Sequence, residues 1–74
     1  MNFKDQLKII ITSDVDYEKL IAEIYCKDEF IALLQQENGI NDIKVEFSSN
    51  INALDFDWLQ NALNEARKKL LNQG

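Results

Sequence analysis

The chain has 74 residues, 46% of them hydrophobic, enough for one small domain with one modest core and too few for two. Thirteen acids against eight bases leave a net charge of −5, which opposes nucleic-acid binding because that needs a basic stripe to displace counterions. With no His and a single cysteine, Cys26, disulfide frameworks and His- or Cys-rich zinc sites are excluded. No stretch nears the ~20 apolar residues of a membrane span, and the apolar run after Met1 to Lys8 is too short for an export signal. A soluble cytoplasmic domain with a reduced thiol is the expectation.

The first element is Lys8 to Thr12, a short β-branched run stopped by Ser13-Asp14, which reads as a strand. An acidic connector follows, Asp14 to Glu18, whose Asp and Ser side chains favour turns over ladders. Three more strands are read at Leu20 to Cys26, Glu29 to Gln36 and Ile43 to Ser48. Asn38-Gly39 is the strongest turn signal, since a type I′ hairpin needs φ > 0 at both central positions; Lys27-Asp28 is the weaker one. From Asp55 to Asn72 the spacing of Phe56, Leu59, Leu63, Ala66 and Leu70 gives one apolar helical stripe. Asp55 suits its N-cap, and Arg67-Lys68-Lys69 suits its negative end. Trp58 lies beside the stripe and reads as an edge packing residue, with a binding anchor as the alternative, and Tyr17 and Tyr25 carry the same two readings.

The predicted architecture is a four-stranded antiparallel sheet with the helix across one face. Residues 16–36 are also rich in helix formers, so β-α-β-α is the alternative. Cross-strand pairing favours the sheet. If Asn38-Gly39 form a two-residue loop, Phe30 faces Phe47, Ala32 faces Val45 and Leu34 faces Ile43, three apolar pairs on one side. These residues, apart from Ile43, are expected to form the core with Leu59, Leu63 and Ala66. Ile31 and Leu33 then point the other way, beside Lys44 and Glu46, on a face that a single helix cannot cover. That face is either a surface with ordinary scattered apolar residues or a partner or homodimer surface.

Candidate chemistry is sparse. Asp14-x-Asp16-x-Glu18 begins like a calcium loop, but Lys19 replaces its Gly and Tyr25 its bidentate acid. Without His, neither Ser13, Ser48, Ser49 nor Cys26 has the usual activating base. Only Gly39 and Gly74 are present, so no Gly-rich phosphate cradle forms. The expectation is a non-enzymatic domain without cofactor or metal. Charge is uneven: residues 1–57 hold twelve acids and five bases, a balance of −7, while residues 58–74 hold one acid and three bases, a balance of +2.

Ile11 to Glu18, Leu20 to Tyr25, Phe30 to Leu33, Gln36 to Gly39 and Val45 to Phe47 follow one another at short intervals, and Trp58-Leu59, Ala62-Leu63 and Ala66 close the chain. Together these segments resemble small bacterial immunity-type proteins associated with polymorphic or contact-dependent toxins. The sequence departs from them at Lys27-Asp28, where such proteins tend to carry an Asp-Gly turn. The resemblance implies strands in the middle of the chain and a role in binding and neutralising a cognate toxin. A basic toxin domain would be attracted by an acidic inhibitor. The expected partner surface joins Asp14, Asp16 and Glu18 to Ile31, Leu33 and Glu46, with charge at the rim and apolar contact at the centre.

Overall fold

The computed structural model describes residues 6–72. Its elements are β1 (Leu7–Thr12), β2 (Ile21–Cys26), β3 (Glu29–Gln35), β4 (Lys44–Phe47) and α1 (Phe56–Leu71). The four strands form one antiparallel meander in the order β1-β2-β3-β4, and α1 packs chiefly on β2, then on β1 and β3. This is the predicted α+β architecture, and the middle of the chain is strand, not helix.

The two turn signals exchange roles. Lys27 and Asp28 carry φ values of 51° and 68°, the pair of positive angles a two-residue hairpin of the I′ kind requires, and Cys26 pairs with Glu29 across them. Asn38-Gly39 instead belongs to a longer loop of two successive turns. Gly39 N–H donates to the Gln36 carbonyl at 2.9 Å, and Asp42 N–H donates to the Gly39 carbonyl at 3.1 Å. In that loop only Gly39 takes positive φ, at 103°.

The longer loop slides the β3–β4 register by two residues: Ala32 pairs with Phe47 and Leu34 with Val45. Because strand side chains alternate with period two, this slip keeps every residue of β4 on its expected face. A second irregularity does not. The β2–β3 register shifts between Ile24 and Tyr25, so that Ile24 faces Ala32 while Tyr25 faces Phe30, leaving Ile31 as the extra residue of a β-bulge. The bulge turns Ile31 into the core, where it is 2% exposed, and sends Phe30 to the opposite face, edge-to-face with Tyr25 at 5.7 Å. Both expectations for this pair, Phe30 in the core and Ile31 on the open face, are corrected.

The core also lies to one side of its expected place. Ala22, Ile24, Ile31, Ala32 and Leu34 of the sheet meet Trp58, Ala62, Ala66 and Leu70 of the helix. The buried helical stripe therefore recurs every four residues from Trp58, and Phe56 is left outside, largely exposed. Leu59 and Leu63 flank the contact half-buried. Alanines meet at the centre from both layers, which lets the helix backbone approach β2 closely and carries it away from β4. Val45 and Phe47, expected in the core, lie beyond the helix and are exposed, Phe47 by 52%. The helix ends do follow the sequence. Asp55 is extended and its carboxylate accepts from Trp58 N–H at 2.9 Å, Asp57 lies in the first turn, and Lys68 and Lys69 lie in the last.

Candidate functional site

The sheet face away from α1 carries three rows of side chains across the strands. One row is Ile10, Glu23, Leu33 and Glu46, so Leu33 sits between two carboxylates. A second is Lys8, Tyr25 and Phe30, with Tyr25 Oη donating to Glu23 at 3.2 Å. The third includes Thr12 and Ile21, and Gln35 and Lys44. Ile21 is only 1% exposed although it belongs to no helix-side cluster.

Between β1 and β2 the chain does not hang free at the sheet edge. Tyr17 Oη donates to Glu46 Oε1 at 2.7 Å, and Glu46 is on β4, at the far side of the sheet from β1. The backbone N–H groups of Glu18 and Lys19 both donate to the Glu37 carboxylate, at 2.8 and 3.0 Å. Gln36 Nε2 donates to the Leu20 carbonyl at 3.0 Å. The connector thus crosses the open face. Its tip is a closed local turn: Asp16 N–H donates to the Asp14 carboxylate at 2.9 Å, and Tyr17 N–H to the Asp14 carbonyl at 3.0 Å. Held at that tip, between the two aspartates, Val15 is fully exposed.

Of the six residues expected to form the partner surface, the structure gathers five on one side. Asp14, Asp16 and Glu18 are carried over the face that bears Leu33 and Glu46. Ile31 is absent from it, because the bulge buries it beneath the helix. Sequence reading passed over Glu37, which ties the connector down, and Val15, which gives it an apolar tip. An apolar residue between two turn-forming acids was the available signal for Val15; nothing local marks Glu37, whose two donors come from residues 18 and 19 positions earlier.

The cluster is strongly negative. The Tyr17 hydroxyl is pushed up to about 12, first by its hydrogen bond to Glu46, then by burial, then by the charges of Glu46, Asp16 and Asp14. Tyr25 is raised as well, by burial and then by Glu23. At the opposite corner, Lys44 Nζ lies 3.1 Å from Asp42 and lowers that carboxyl. Among the described residues no group of three or more carboxylates or thiols is arranged to hold a metal ion, and no helix is long and apolar enough to cross a membrane. The arrangement offers charge and apolar contact to a macromolecular surface. Comparison with protein families, with curated proteins and with solved structures gives no match.

Proposed function

We propose that this chain is a non-enzymatic protein-binding domain of the immunity type, which captures a basic toxin domain on the connector face. The observation that carries the reading is Val15. An exposed valine on a loop closed by two local hydrogen bonds to Asp14, and tied by three more to Glu46 and Glu37, is a preorganised apolar contact, and preorganisation lowers the entropy lost on binding. Asp14, Asp16, Glu18 and Glu46 around it supply the charged rim, and Leu33 the apolar interior of the face. Rim charge acts mainly on association rate and its salt dependence, whereas apolar contact acts on dissociation.

The test is capture from the native host with the tagged chain, followed by protection of cells that express the captured protein. Wild type should retain a protein with a basic toxin domain and protect against it. Val15→Asp and Leu33→Asp should fold, keep their far-ultraviolet spectrum and lose both capture and protection. Charge reversal of Asp14 and Asp16 to Lys should slow capture, most strongly at low salt. Variants that protect as well as wild type would refute the surface, and capture of no basic partner would refute the function.

A further inference from the structure

We propose that β4 is a self-complementary edge through which two copies of the chain join their sheets about a twofold axis. It shares Glu46 with the connector face, where that carboxylate accepts from Tyr17, but it does not rest on capture of a toxin. Ser48 N–H donates to the Ile31 carbonyl at 2.9 Å, continuing the β3–β4 ladder with an even-numbered residue. Backbone groups alternate in direction along an antiparallel strand, so Ile43, Val45 and Phe47 turn their N–H and C=O groups outward, away from β3. Among the described residues no strand lies on that side.

A twofold axis perpendicular to the sheet pairs residues of like parity, and of the registers centred within β4 only one sets opposite charges against each other. With Val45 on the axis, Val45 meets its own copy, Ile43 meets Phe47 and Lys44 meets Glu46, each of the last two twice. Lys44 and Glu46 share the open face, so the register creates two opposite-charge cross-strand pairs at the close, non-hydrogen-bonded positions. Sliding by one step either way sets Lys44 against Lys44 or Glu46 against Glu46.

The helix side agrees with this register. Phe47 is 52% exposed and Ile40 63%, because α1 stops short of β4. The gap between them is a groove lined by Leu34, Ile40, Ile43, Val45, Leu63 and Arg67. Pairing Phe47 of one copy with Ile43 of the other brings the exposed ring to that groove. The opposite edge has no such match, since Lys8 is the one charged residue of β1 and any twofold register opposes it to a neutral residue or to itself.

The dimer joins short strands and belongs to the small-interface class, so it should be followed by sedimentation from about 10 μM to about 1 mM. Wild type should move from 8.6 kDa toward twice that mass. Lys44→Glu and Glu46→Lys should each raise the dissociation constant about tenfold or more, and a one-to-one mixture of the two variants should associate as well as wild type. Val45→Pro should abolish association without loss of fold, because its N–H serves no bond to β3. Wild type that stays monomeric throughout would overturn the proposal and leave the edge to a strand of another protein. Charge variants that associate like wild type, or a mixture that does not recover, would overturn it equally.

Discussion

Truncating Ile31 and Leu33 to alanine tests the bulge on which both faces of the sheet depend. The two substitutions remove the same number of carbons, two positions apart on one strand. Ile31 is 2% exposed within the helix-side cluster, whereas Leu33 is half-buried on the other face. Three methylene equivalents at ~0.8 kcal/mol each, plus a cavity that close-packed neighbours fill only in part, give about 3 kcal/mol for Ile31→Ala. Leu33→Ala forfeits roughly half the transfer and leaves no closed cavity, about 1 kcal/mol. A domain of this length has about 4–11 kcal/mol in total, so the first change is severe and the second mild. With a urea m-value near ~1 kcal/mol/M for so small a chain, the midpoints should fall by about 3 M and about 1 M. If Leu33→Ala costs as much as Ile31→Ala, the bulge is misplaced and Leu33 belongs to the core.

Tyr17 should ionise far above an ordinary tyrosine. Its hydroxyl, held at about 12 by the bond to Glu46, lies above the ordinary tyrosine value of 10.0, so the tie is fully present below pH 10 and is lost as pH rises through about 12. An ultraviolet tyrosinate titration in which Tyr17→Phe removes a group of ordinary midpoint would contradict the tie. Replacing Lys27-Asp28 by Asn-Gly should raise stability by about 1 kcal/mol, because both positions hold positive φ that Asn and Gly tolerate; an unchanged thermal midpoint would show that the turn is unstrained. Gly39→Ala should lower stability by about 1 kcal/mol through backbone strain alone, since the added carbon meets nothing within 4 Å. A neutral result in chemical denaturation would mean that the loop relaxes away from φ 103°.

Local chemistry along the chain determined the element types, the antiparallel order and the helix with its Asp55 cap, because each depends on neighbours a few residues away. Parity also survived: a two-residue slip in register leaves Ala32, Leu34, Val45 and Phe47 on the same face. Tertiary structure decided the rest. An alternating pattern contains no mark of an extra residue, so only the packing of β2 against β3 and α1 reveals that Ile31 turns inward and Phe30 outward. Which strip of the helix is buried depended on the alanines that permit close approach, so Trp58 and Ala62 entered the core while Val45 and Phe47 remained at the edge. The acidity of the connector was legible from the sequence. Its place was not, because hydrogen bonds from Tyr17, Glu18 and Lys19 to carboxylates on β4 and beyond β3 carry it across the sheet, and these partners meet only once the strands are side by side.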